Sequence, residues 1–223
     1  MKKSTLALAL FLLNIVFAQA QIDKESLSLE TSKAEEENRD QLKEYIWKRR
    51  SDVFMESQLK LTTMTEFSFD PQGKLVTKII EAKTTVDKKP GFRGKAQASA
   101  AEDKIEYIQK ALALSMDYAI MSKGELLDFF DEATVKETDG LIEAEATGVR
   151  IPGDRLLVRI DPNTLLFTYK EFSSLLGNDR IEGTLTYSSF TNGISHLTMT
   201  SLNLPAQKMT IESANQDYTI RVQ

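Results

Sequence analysis

From residue 139 to the C-terminus, apolar and polar positions alternate in short runs broken by turn residues, which predicts one strand after another. Arg155–Ile160 is closed by Asp161-Pro-Asn-Thr164 and returns along Leu165–Tyr169. Pro162 presets φ for the second turn position, while Asp161 and Asn163 bond the local backbone. Runs at Ile181 to Phe190, Ile194 to Leu202, Lys208 to Ser213 and Tyr218 to Val222 follow. They are separated at Gly177-Asn178-Asp179, Thr191-Asn192-Gly193, Leu204-Pro205-Ala206 and Asn215-Gln216-Asp217. Turn-linked strands with no helix between them make an antiparallel meander.

The same period of two opens the chain after a polar stretch. Residues 22–44 are acidic helix formers with sparse apolar marks, and a helix is expected from about Thr31 to Glu44, after a loose segment. From Tyr45, one strand face carries Trp47, Arg49, Val53 and Met55. The next strand alternates Leu59, Leu61, Thr63, Thr65, Phe67 and Phe69 against polar neighbours. Asp70-Pro-Gln-Gly73 then turns the chain into a third strand, Lys74 to Lys83.

Residues 87–99 read as a basic, glycine-punctuated loop, with Lys88, Lys89, Arg93 and Lys95 solvated between strand and helix. Ser99-Ala-Ala-Glu102 is a capping-box pattern that starts a helix running to about Ser122. Its two adjoining apolar stripes include Ile105, Ile108, Leu112 and Met116 beside Tyr107, Leu114 and Tyr118, so something concave encloses it. Ser122-Lys-Gly-Glu125 caps a shorter amphipathic helix with Phe129 and Phe130. On the strand after it, Ile142, Ala144, Ala146 and Gly148 leave room above one face.

The N-terminus alters the compartment. Lys2 and Lys3, the apolar run Leu6 to Phe17 and Ala18-Gln19-Ala20 have the order of a secretory signal peptide, which sets residues 1–20 as leader and 21–223 as one domain. The apolar run is short for a membrane span, where about 20 residues are wanted, so no transmembrane segment is expected in the mature chain. Removing the leader takes two of the 28 basic residues and none of the 33 acidic ones, which moves the net charge from −5 to −7. A chain that acidic is not expected to bind nucleic acid. With no cysteine there is no disulfide, no lipid anchor on sulfur, no thiol catalysis and no cysteine metal site.

Catalytic chemistry finds no footing either. His196 is the only histidine and reads as a surface or edge residue of a strand. Glu35-Glu-Glu37 reads as a solvated helix face, and Glu143 with Glu145 as paired carboxylates on a solvent face. No nucleophile elbow, zincin motif or Walker loop is present, so neither an enzyme, a metal nor a cofactor is expected.

A signal peptide, a helix, antiparallel strands, two central helices and a closing meander together resemble the periplasmic lipoprotein-carrier superfamily, the LolA/LolB-like fold. The pattern is carried by Ile160-Asp-Pro-Asn-Thr-Leu165, Gly183 to Tyr187, Asn192-Gly193 and Asp217-Tyr218, with Tyr45-Ile-Trp-Lys-Arg-Arg50, Asp70-Pro-Gln-Gly-Lys-Leu75 and Gly91-Phe-Arg-Gly94 before it. The resemblance implies an α+β fold, in which a curved antiparallel sheet, an unclosed β-barrel, has helices covering its concave face. It implies a soluble periplasmic or secreted protein that shelters an acyl chain or lipoprotein lipid, with an envelope protein as a possible partner. A cargo-free structural or sensor domain of the same fold is the alternative. Trp47, Leu59, Leu61, Phe67, Phe69, Ile108, Leu112, Met116, Phe129 and Phe130 are the expected walls of an apolar cavity. Arg49 is the candidate latch, its guanidinium reaching the free carbonyls at a helix C-terminus.

Overall fold

The computed structural model describes residues 23–84 and 92–221. The expected leader at 1–20, Lys88 and Lys89 lie outside the described residues, as do the side chains of Arg93, Lys95 and Ser99. The elements run α1 (Lys24–Leu42), β1 (Tyr45–Met55), β2 (Gln58–Phe69), β3 (Leu75–Thr84), α2 (Phe92–Ala119), α3 (Lys123–Glu132), β4 (Thr134–Thr138), β5 (Leu141–Thr147), β6 (Arg155–Ile160), β7 (Phe167–Leu176), β8 (Asp179–Ser189), β9 (Ser195–Leu204) and β10 (Met209–Ile220).

The strands form one ten-stranded antiparallel sheet in the order β3-β2-β1-β10-β9-β8-β7-β6-β5-β4. Every step joins sequence neighbours except β1 to β10, which sets the opening strands beside the end of the meander. The chain therefore crosses from one sheet edge, β3, to the other, β4, through α2 and α3. That crossing lays both helices over the inner face of a sheet that curls without closing. This is the α+β architecture the sequence leads one to expect.

Local chemistry explains most of the boundaries. Asp70 Oδ1 accepts from the amides of Gln72 and Lys74 at 2.9 and 2.8 Å, and Gly73 takes φ 76°, which builds the β2–β3 turn. Ser122 and Glu125 form the reciprocal capping box of α3. Asp139 and Gly140 both have positive φ, the signature of a two-residue type I′ hairpin between β4 and β5.

Several expectations are corrected. α1 starts at Lys24 and not Thr31, because Asp23 caps it by accepting from the amides of Glu25 and Ser26. α2 already begins at Phe92, inside the expected basic loop, and β4 had no counterpart in the sequence reading. Asn215-Gln216-Asp217 is not a turn. β10 runs through it with a bulge, where β1 advances from Ile46 to Lys48 while β10 passes from Thr219 to Gln216 and Asp217 takes φ 55°.

The main core lies between the helices and the inner face of the sheet, from β5 through β10 and on to Val53 and Leu61. α3 packs on β5, so the room left by Ala144 and Ala146 is taken and Phe129 and Phe130 are buried. Phe172 of β7 lies opposite Gly183 of β8, where an added Cβ would come within 2.2 Å of its ring. That glycine is required by packing, not by backbone angle. A second, smaller cluster of Trp47, Phe67 and Phe69 sits on β1 and β2, with Trp47 stacked on Phe67 and on Tyr218.

Candidate functional site

A cavity of about 70 Å³ lies under the sheet between α1, the C-terminal end of α2 and strands β1, β9 and β10. Apolar walls come from Leu42, Trp47, Phe69, Met116 and Ile120, and polar ones from Glu35, Asn38, Arg49, Lys170, Tyr187 and Asn215. A wider hollow of about 380 Å³, lined in part by Lys43, Gln72, Gly73 and Leu75, shares Arg39, Phe69, Met116 and Ile120 with it and opens outward.

The α2 C-terminus ends in this region, and its unpaired carbonyls draw cationic donors. Lys170 Nζ donates to the carbonyls of Tyr118 and Ala119, both at 3.2 Å, and Tyr187 Oη donates to Ala119 at 3.1 Å. Arg150 donates to Asp117 O, and Arg39 to Met121 O just beyond the helix. Lys170 is 1% exposed and sits 4.0 Å from the Phe167 ring centre. Burial pulls its ammonium down to about 8, against the pull of Glu35. Burial likewise raises the Glu35 carboxyl, opposed by Lys170 and by the Phe167 amide, which donates to it at 2.8 Å.

The helix-terminus contact expected of Arg49 is therefore made by other residues. Arg49 does face inward beside Trp47 and Val53, 1% exposed, as strand alternation requires. Its Nε donates to Asn215 Oδ1 at 2.9 Å, and Nη2 lies 2.9 Å from the thioether sulfur of Met116, a weak acceptor. Its guanidinium carbon stands 4.7 Å from the Phe67 ring centre. Nη1 is buried with no hydrogen-bond partner among the described residues. Burial lowers the guanidinium to about 10, while Tyr218 and Tyr187 pull the other way.

α1 closes this end of the half-barrel and is fastened by polar contacts. Asn38 pairs twice with the Ser195 backbone, donating to its carbonyl at 2.9 Å and accepting from its amide at 2.7 Å. Glu36 pairs with Lys123 at 3.1 Å, and Lys24 donates to Asp131 O at 2.8 Å. Of α1's apolar side chains, Leu27 joins the main core and Leu42 the aromatic cluster.

The structure brings together Trp47, Phe69, Met116 and Arg49 around the cavity. It places Leu61, Ile108, Phe129 and Phe130 in the main core, Leu112 half-buried against that core, and Phe67 in the aromatic cluster behind Trp47. Leu59 is on the other face. Between Val53 and Phe54 the pairing skips Lys60, and this bulge turns Leu59 outward with Phe54, 37% exposed. Glu35, read as part of a solvated face, points inward. His196 is half-buried, stacked on Phe190 at 3.9 Å and set edge-on to Tyr218 at 4.6 Å. Glu143 and Glu145 do lie on the outer face, in ion pairs with Lys136 and Arg159 and with Arg155.

The sequence reading missed Lys170, Tyr187 and Asn38. A lysine at the end of an apolar strand run was the one available signal for the first.

Neither a protein-family model nor a curated protein matches the sequence. Three solved structures are similar in outline, each at 11% identity. An outer membrane lipoprotein-sorting protein domain from Vibrio parahaemolyticus has TM-score 0.47 and covers 87% of this chain and 92% of its own. A DUF1329 family protein from Desulfovibrio piger has TM-score 0.40 and covers 86% and 92%. A LolA superfamily protein from Nitrosomonas europaea has TM-score 0.40 and covers 84% and 94%.

Proposed function

We propose that this protein is an exported binding or carrier protein of the periplasm that shelters an acyl chain between its curved sheet and α1 and α2, with no catalytic step. The observation that carries the reading is the aromatic-walled cavity beneath helix α1, beside a wider hollow with which it shares Arg39, Phe69, Met116 and Ile120. Ligand pockets run to about 300–1,000 Å³, and the cavity holds about 70 Å³, so cargo requires α1 to lift. Its attachments suit that movement, being mostly hydrogen bonds and an ion pair that water can replace, with Leu27 and Leu42 as its apolar anchors. No helix among the described residues is long and apolar enough to cross a membrane.

A second reading, a half-barrel filled by its own helices with no cargo, is favoured by the same small volume. Native mass spectrometry of protein released from the cell envelope separates the two. A lipid-sized adduct on wild type, lost on Ile120→Trp, which fills the cavity, supports the carrier. Bare protein in both samples supports the filled half-barrel.

A further inference from the structure

We propose that the cavity takes a carboxylate-headed amphiphile, a free fatty acid, head inward onto Arg49 with its chain running toward the outer hollow. This rests on the carrier reading and names the class of its ligand. Three observations lead to it.

The first is an unfinished hydrogen-bond set. Arg49 is 1% exposed and lines the cavity, yet Nη1 has no partner among the described residues and Nη2 meets only the Met116 sulfur. No carboxylate forms an ion pair with it among the described residues. An uncompensated buried guanidinium is costly, and a carboxylate is the group that matches two adjacent N–H donors bidentately.

The second is charge. The cavity lining holds Arg39, Arg49 and Lys170 against the single carboxylate of Glu35, which serves Lys170. A chain of net charge −5 therefore encloses a positive excess, and an anion balances it.

The third is shape. A cavity of about 70 Å³ admits a carboxylate but falls well short of the roughly 300–1,000 Å³ of pockets that enclose a whole ligand. The side chains shared with the hollow of about 380 Å³ include Phe69, Met116 and Ile120, which suit methylene groups. Arg49 lines the inner cavity and not the outer hollow, so the head lies inside and the chain follows Phe69, Met116 and Ile120 outward.

Trp47 is the sole tryptophan and lines the cavity, so its emission reports binding directly. Wild type is titrated with dodecanoate, dodecanol, dodecylammonium and acetate. The expected result is dodecanoate at least about 30-fold tighter than dodecanol, with dodecylammonium weaker than either. Arg49→Met should bind acid and alcohol alike, at the wild-type affinity for dodecanol, and Arg49→Lys should restore part of the preference. Equal wild-type affinity for acid and alcohol overturns the head-inward assignment and leaves the carrier reading standing. Acetate binding as tightly as dodecanoate overturns it in favour of a small-anion site, and no binding of any chain overturns both readings. The wild-type comparison decides even where Arg49→Met fails to fold.

Discussion

The two halves of the sheet cover their inner faces with different chemistry. Across β5 to β8 the buried positions are Ile142, Ala144, Leu156, Val158, Phe172, Ile181 and Leu185, under α2 and α3. Across β9, β10 and β1 the row of Leu202, Ile211 and Val53 is apolar too, but the rows toward the cavity are polar. Thr200 stands opposite Ser213, Ser213 opposite Ser51, and Asn215 opposite Arg49. Ser51 Oγ and Ser213 Oγ share a hydrogen bond of 2.8 Å, while Thr200 Oγ1 and Arg49 Nη1 find no partner among the described residues. Burying one large apolar side chain contributes about 1.5–3 kcal/mol, whereas a net hydrogen bond contributes about 0.5–1.5 kcal/mol. Stability is thus concentrated in the apolar rows, and the polar rows give up packing where the cavity lies. Departures from good packing of this kind mark functional sites.

The largest expected effect falls on the packed half. Phe172→Ala removes a ring that is 1% exposed and stacks on Tyr118 at 4.3 Å, and should cost about 3–5 kcal/mol in urea unfolding. Gly183→Ala forces the same ring aside and should cost about 1–3 kcal/mol. Neither change should alter ligand affinity of the folded fraction. A change in affinity equal to that of a cavity variant would erase the distinction between the halves.

Next comes a pH effect at the cavity wall. The Lys170 ammonium titrates near 10.5 when unfolded and near about 8 when folded. Below pH 8 it is protonated in both states and the full cost of burying it is present. Between 8 and 10.5 the folded chain has released a proton the unfolded chain still holds, so raising the pH favours folding, by on the order of 3 kcal/mol over the window. Urea midpoints at pH 7 and pH 10 should shift in favour of wild type relative to Lys170→Met. A gap that stays constant would mean that Lys170 titrates as a solvated amine.

Asn38→Ala should cost about 1–2 kcal/mol by breaking both bonds to Ser195 and freeing α1. Stopped-flow Trp47 fluorescence should then show faster ligand association. Slower association would mean that α1 forms the site and does not close it. The smallest effect is expected on the outer face, where Met199 is 53% exposed and Met199→Ser should change stability by less than about 0.5 kcal/mol.

Much of the framework was legible in the sequence because its signals are local. Asp70 to Gly73, Ser122 to Glu125 and the shared face of Trp47 and Arg49 are each set within a few residues. The site was less legible because single-residue bulges reverse strand faces. In β7 the pairing skips Thr168, so Phe167 and Lys170 both face inward, where simple alternation sends Lys170 outside. At Lys60 the same device turns Leu59 outward. Asn38 is joined to a partner 157 residues away, a distance no local pattern spans. Glu35 shares a helix with charged neighbours, and only the β7 amide it meets distinguishes it.

The most direct test of a cavity confined to one half uses methionine methyl groups. Met116 and Met121 line the cavity, Met209 is buried at the far end of β10, and Met199 is on the outer face. A ¹³C-methyl methionine spectrum is recorded with a nitroxide-labelled fatty acid bound. The expected result is broadening of Met116 and Met121 with Met209 and Met199 sharp. Broadening of Met209 with Met116 and Met121 unchanged would place the ligand elsewhere and contradict the carrier reading.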